Sequence, residues 1–225
     1  MPVNSWWPIE LWEQGGAIVL FSWCFWIIAS VVLHELAHGF TALRCGDTTP
    51  TDTGHITWNP VVHMGLSGLI MFALLGVTWG AMPVDPSRFR GRYDDARVSF
   101  AGPVTNAVLA LACVVGASVL IVLAARGRID YDSTAVANLS TFFRLGALLN
   151  LVLVMLNLLP LPPLDGSRIL AAFSTTYRGL ASTPQARQIS LVALILIFVF
   201  GGNTVFGAAT DVAITLIDRI VGVFM

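Results

Sequence analysis

Apolar residues run together along this chain instead of alternating with polar ones. Continuous apolar segments occupy about 16–38, 64–81, 98–125, 141–163, 188–200 and 204–224, with polar connections at about 39–63, 82–97, 126–140 and 164–187. Roughly 20 apolar residues make an α-helix long enough to cross the ~30 Å hydrocarbon core of a bilayer. The pattern predicts an all-α polytopic membrane protein with about five to six hydrophobic segments. The 64–81 segment carries Gly65, Gly68, Gly76 and Gly80. These predict a bent or re-entrant course, provided protein buries its backbone; a spanning helix with Gly76 and Gly80 on a packing face is the alternative. Gly201, Gly202 and Asn203 predict a break between the last two helices. From Gly54 to Asn59, Ile56 and Trp58 alternate with polar neighbours, which predicts a short strand or hairpin.

Composition sharpens this picture. Of 225 residues, 56% are hydrophobic and 11% charged, against roughly 25% charged in soluble domains. Mean hydropathy is +0.79. No repeat or soluble module stands out, so residues 1–225 read as one membrane domain, with a core over about 16–170 and C-terminal helices over about 188–224. The net charge of −1 leaves no basic field for nucleic acid. Cys24, Cys45 and Cys113 are scattered and odd in number, which gives no disulfide framework. Residues 1–15 lack the positive region of a cleavable signal peptide, and Trp6, Trp7 and Trp12 read as interfacial anchors.

All basic residues are Arg, and they orient the chain. None lies in 1–15, whereas Arg88, Arg90, Arg92 and Arg97 crowd one loop and Arg168, Arg178 and Arg187 another. The positive-inside rule places both loops in the cytoplasm and the N-terminal end outside. A first helix running inward leaves its C-terminal end near the cytoplasmic face. If 64–81 returns on its own side, every later loop agrees with the rule, and residue 165 comes to the same side as residues 34–38. The four-Arg loop is expected to rest on an anionic inner surface.

At the end of the first apolar run stand His34, Glu35 and His38. Ionisable groups are costly at membrane depth, so they mark function there. Residues four apart share a helix face, so both imidazoles can meet one metal ion while Glu35 handles a proton beside it. A hydrolytic zinc ion takes three protein ligands and keeps a fourth position for water. The third ligand could come from His55, His63, a carboxylate or a cysteine. Asp165 is one such carboxylate, following the Pro-rich stretch at Pro160, Pro162 and Pro163, which can unwind a helix.

Three motifs together resemble the site-2 protease family of intramembrane zinc metalloproteases. The first is His34-Glu35-Leu36-Ala37-His38. The second is Asn157, Pro160, Pro163, Asp165 and Gly166 in N-x-x-P-x-x-P-x-D-G spacing. The third is Gly102, Pro103 and Asn106 at the start of the intervening helix. Gly54 to Pro60, with Trp79 to Val84, looks like the compact bacterial subgroup without PDZ or CBS domains. Two departures lie in this region: Met82 stands where a basic residue is expected, and Met64-Gly65 follows His63 where an acidic residue and proline are expected.

The resemblance implies one Zn2+ per chain, held by His34, His38 and Asp165, with Glu35 as the catalytic glutamate. It implies Asn157 as a substrate or oxyanion contact, and Asn106 as a polar contact for substrate near the site. Ile56 and Trp58 would bind an extended substrate segment along the expected strand edge. The implied activity is hydrolysis of a peptide bond in a membrane-spanning protein near the cytoplasmic face of a prokaryotic plasma membrane. The implied partners are that substrate and the lipid bilayer. A non-catalytic zinc-binding scaffold or chaperone is the rival reading, and a metal transporter a second.

Overall fold

The computed structural model describes residues 6–225; the first five residues of the expected outer segment lie outside the described residues. Helix α1 spans Trp7–Cys45 and is interrupted only at Gly15 and Gly16, where φ/ψ leave the helical region. The short piece before the break carries the exposed Trp12, and the long piece after it carries the apolar run. Helix α1 stops at Gly46, whose φ of 102° is left-handed and open to glycine at little cost. The short α2 (Thr49–Asp52) follows, then α3 (Pro60–Leu75), where the Asn59 side chain accepts from Val61 N–H.

Helices α4 (Asp94–Ala125) and α5 (Thr134–Asn157) complete the inner bundle. Two short helices, α6 (Asp165–Phe173) and α7 (Thr175–Ala181), lead into α8 (Pro184–Phe224). Helices α1, α4, α5 and α8 are each long and apolar enough to cross a membrane. They bury Trp26, Cys113, Val114, Ala117, Ala147 and Ile217 in a common core. Contacts of His34 with Asn106 and His38 with Val98 set α4 antiparallel to α1, and those of Asn106 with Asn150 and Gly116 with Phe143 set it antiparallel to α5. The all-α multi-pass architecture expected from the hydrophobic pattern is present.

The 64–81 segment folds back on itself. Helix α3 kinks at Gly65 and ends at Gly76, which is left-handed at φ 73°. Even taken straight, its 16 residues would rise only roughly 24 Å, short of the ~30 Å hydrocarbon core. At the tip, the indoles of Trp6 and Trp7 both donate to Ala73 O at 3.1 Å, and Trp23 donates to Gly76 O at 3.2 Å. The chain then returns in extended form beside α3: Thr78 Oγ1 donates to Gly68 O at 3.0 Å, and Ala81 N–H donates to His63 O at 2.9 Å. This hairpin matches the re-entrant expectation.

Two expectations are corrected. No strand forms among the described residues, and 54–59 is an irregular loop. Its N–H groups turn inward: His55 N–H donates to Pro50 O at 2.8 Å and Thr57 N–H to His55 O at 3.0 Å. Three alternating pairs carry too little cross-strand partnership to outweigh such local bonds. The break at 201–203 is absent too, because α8 runs through it unbroken. Glycine inside a helix costs about 1 kcal/mol, far less than exposing unpaired backbone to hydrocarbon.

Candidate metal centre

Helices α1, α4 and α6 meet where His34, His38 and Asp165 converge. His34 and His38 lie one turn apart on α1, and both are buried. The turn after α5 lets the chain re-enter as α6, with Asp165 its first residue. Asp165 Oδ2 lies 3.0 Å from Nε2 of His34 and 3.3 Å from Nε2 of His38. His55 and His63 stay out of this group. They face each other across the loop with ring centroids 6.5 Å apart, and His63 Nε2 donates to Thr57 O at 2.7 Å.

The far side of each imidazole decides what the near side offers. His38 Nδ1 sits 2.6 Å from Val98 O, and His34 Nδ1 sits 2.6 Å from Asn106 Oδ1. Both are acceptors, so in the neutral imidazole Nδ1 carries the ring proton and Nε2 is the nitrogen left free to bind a metal. Asp165 Oδ2 is buried without a hydrogen-bond donor. Two imidazole nitrogens and a carboxylate oxygen thus converge on one point, an arrangement that a shared cation stabilises. Tetrahedral zinc with ligands at ~2.0–2.1 Å separates neighbouring ligand atoms by about 3.3 Å, close to the spacing found. Two imidazoles and a carboxylate suit zinc, and the site fits the ion.

The helix backbone beside these atoms belongs to Gly102. A Cβ there would lie 2.6 Å from His38 Nε2 and closer still to His34 Nε2. Gly80, on the return leg of the hairpin, does the same for the glutamate: its Cβ would lie 2.6 Å from Glu35 Oε1. The three candidate ligands, Glu35 and Asn157 all line one cavity of about 530 Å³. Its apolar end is walled by Ile27 and Val31 of α1, Leu153 of α5 and Leu194 and Phe198 of α8. Residues 77–82 form the wall next to Glu35, with Gly80 against its side chain.

Other predicted residues fall elsewhere. Asn106 is not on the cavity wall; it is fully buried behind His34 and bonds to that candidate ligand. Ile56 packs toward Gly39 beside Met82. Trp58 is 72% exposed on the outer side of α1, beside Phe25 and Ile28. Neither reaches the cavity, because their strand does not form. Sequence reasoning missed Asn150, which bonds to Asn106; an Asn seven residues before Asn157 within an apolar helix was the available signal. It also missed the 2.6 Å ion pair of Arg168 on the cavity wall with Asp95.

Comparison with known proteins agrees with this geometry. The profile of peptidase family M50 matches residues 22–201. The chain is 36% identical over 176 residues to "Putative zinc metalloprotease YwhC" of Bacillus subtilis, covering 77% of this chain and 78% of that one. It is 33% identical over 183 residues to Rip2 of Mycobacterium tuberculosis, which bears the same description, covering 77% of this chain and 64% of Rip2. For Rip3 of that organism the identity is 31% over 197 residues, covering 84% of this chain and 40% of Rip3. The chain thus spans less than two thirds of either mycobacterial relative. No solved structure matches significantly. A matched profile over most of the chain, relatives described as zinc metalloproteases and a buried three-ligand cluster that fits zinc lead to one conclusion: this membrane protein belongs to peptidase family M50, the site-2 protease family of zinc-dependent proteases.

Proposed function

We propose that the chain cleaves a peptide bond of a membrane-spanning protein near the cytoplasmic face of a prokaryotic plasma membrane, working as one membrane-embedded unit. The observation that carries this reading is the placement of Glu35 and three convergent ligands at the polar end of an otherwise apolar cavity. Such a cavity accepts an apolar segment and brings its backbone to the chemistry. The orientation rests on the Arg-rich loops 82–97 and 164–187, which flank the ligand end of the bundle.

His34, His38 and Asp165 would hold the zinc. When bound, zinc supplies Lewis acidity that polarises a peptide carbonyl and lowers the pKa of a water toward about 7. Glu35 accepts the proton from the attacking water and returns it to the leaving amine nitrogen. Asn157, at the end of α5 on the cavity wall, offers its amide N–H to the developing oxyanion, a contact worth about 3 kcal/mol in comparable sites. The extended 77–82 stretch lines the cavity beside Glu35 and gives an unwound substrate segment a backbone to lie along.

The test is zinc content and cleavage in wild type, Asp165→Ala and Glu35→Gln. About one zinc per chain is expected in wild type and Glu35→Gln and little in Asp165→Ala, with cleavage in wild type alone. Zinc indifferent to Asp165 sinks the ligand set. Full biological function in Glu35→Gln would turn the reading to a zinc-bearing scaffold.

A further inference from the structure

The two histidines solve one orientation problem in different ways. His38 Nδ1 meets the carbonyl of Val98 directly. A backbone carbonyl only accepts, so the proton on that ring is settled. His34 Nδ1 meets a side-chain amide instead, Asn106 Oδ1 at 2.6 Å. An amide can turn over and present its NH2, which would place the proton of His34 on Nε2 and spoil the ligand atom.

Asn150 removes that freedom. Its Nδ2 donates to Gly146 O at 2.9 Å, one helical turn back on α5. That carbonyl accepts only, so Asn150 cannot turn over without setting oxygen against oxygen. Its Oδ1 therefore faces Asn106 and accepts from Asn106 Nδ2 at 2.9 Å. Asn106 is left with its oxygen toward His34. Polarity runs from one backbone carbonyl through two amides to an imidazole, and both amides are 0% exposed, so no bulk water substitutes for a link.

We propose that Asn150 is a positioning residue: it holds Asn106 in one orientation and thereby keeps the proton of His34 on Nδ1 and its Nε2 lone pair toward Asp165. Asn150 touches neither metal ligand nor cavity and acts through Asn106. This inference rests on the metal-site reading above. Outer partners of metal-bound histidines fix tautomer and ring direction in just this manner, and a buried polar chain in low dielectric is effective only when every member is satisfied.

Two variants separate positioning from packing. Asn150→Leu keeps the volume and removes the acceptor for Asn106. Asn150→Asp, kept neutral by burial, retains both links through an O–H toward Gly146 O and a carbonyl toward Asn106. Packing alone favours leucine over a buried acid; positioning favours the acid. In the zinc-loaded full chain, chelator competition gives zinc affinity, and the proton resonance of His34 Nδ1–H reports its bond to Asn106. We expect Asn150→Leu to weaken zinc about tenfold and shift or lose that resonance, with Asn150→Asp within about threefold of wild type and its resonance in place. Equal affinity and an unmoved resonance in Asn150→Leu overturn the proposal, as does Asn150→Asp weaker than Asn150→Leu. Should the leucine variant not fold, the resonance in Asn150→Asp decides: retained, it supports the relay; lost, it refutes it. If wild type binds no zinc, the metal-site reading fails separately. The bond of His34 Nδ1–H to Asn106 then reads the relay in that protein: a resonance lost in Asn150→Leu and kept in Asn150→Asp supports it, and one unmoved in Asn150→Leu overturns it.

Discussion

Replacing Gly102 with alanine adds one methyl group where α4 passes the two imidazoles. The new carbon would lie 2.6 Å from His38 Nε2 and nearer to His34 Nε2. Non-bonded carbon needs about 3.5 Å, so the rings must retreat by roughly 0.9 Å or α4 must move away. Zinc sites tolerate only about ±0.2 Å in ligand distance. Losing an outer partner of one ligand costs about 10–100-fold in affinity, and displacing two ligands at once exceeds that. Zinc affinity should therefore fall at least ~100-fold. The fold should survive: Gly102 lies inside a helix, where alanine gains about 0.8–1.0 kcal/mol over glycine, against about 1–3 kcal/mol for the overpacking. The assay is zinc per chain beside helix content by circular dichroism. A folded Gly102→Ala protein holding zinc as tightly as wild type would refute the argument that α4 and the metal share this space.

Two further outcomes test the surroundings of the site. Gly80→Ala puts a carbon 2.6 Å from Glu35 Oε1 and 2.8 Å from Val31 Cγ1; zinc should stay, while cleavage falls by about the 10²–10⁴-fold that general-base catalysis supplies, and unimpaired cleavage would show that Glu35 needs no such clearance. Asp47 ties α1 to the 83–88 loop by accepting from Asp85 N–H at 2.7 Å and Thr49 N–H at 2.9 Å. Burial works to raise its pKa, but the Thr49 hydroxyl, the two N–H groups and the Arg88 charge outweigh burial and hold the carboxyl below its ordinary range. A carboxyl lowered by folding stabilises fully above the unfolded value near ~3.9 and loses that contribution as pH falls through the folded value. Exchange at the Asp85 amide, relative to a free amide at the same pH, should stay slow from about pH 8 to 5 and quicken only below about pH 4, as this linkage requires. Asp47→Asn, which sets an NH2 against the Asp85 or Thr49 donors, should quicken it at neutral pH; equal protection in that variant would refute the clasp.

The candidate metal ligands were legible because their signal is local or tied to a rigid spacing. His34 and His38 sit one helical turn apart, and the resemblance supplied Asp165. The spanning helices were legible from run length alone. The loop at Gly54 to Asn59 was not, since a short alternation gives way to bonds within the loop. Continuity of α8 through Gly201 and Gly202 depends on the surrounding hydrocarbon, which local breaker rules omit. Asn150 was hidden because one Asn in an apolar helix reads as packing until its partners on α4 and in its own backbone are known. Gly102 belonged to a motif, but its physical reason, the nearness of two ring nitrogens, exists only after α1 and α4 are paired.

The return leg of the hairpin has a consequence for hydration. Of residues 77–82, Ala81 alone has its N–H bonded to another described residue. Non-helical backbone at membrane depth is tolerated only where protein buries it or where it lines a water-filled cavity. Residues 77–82 line the cavity, so hydration of that cavity is the course open to these N–H groups. A cavity hydrated in this way keeps water beside Glu35, and any segment that displaces it must offer these N–H groups carbonyl oxygens in exchange.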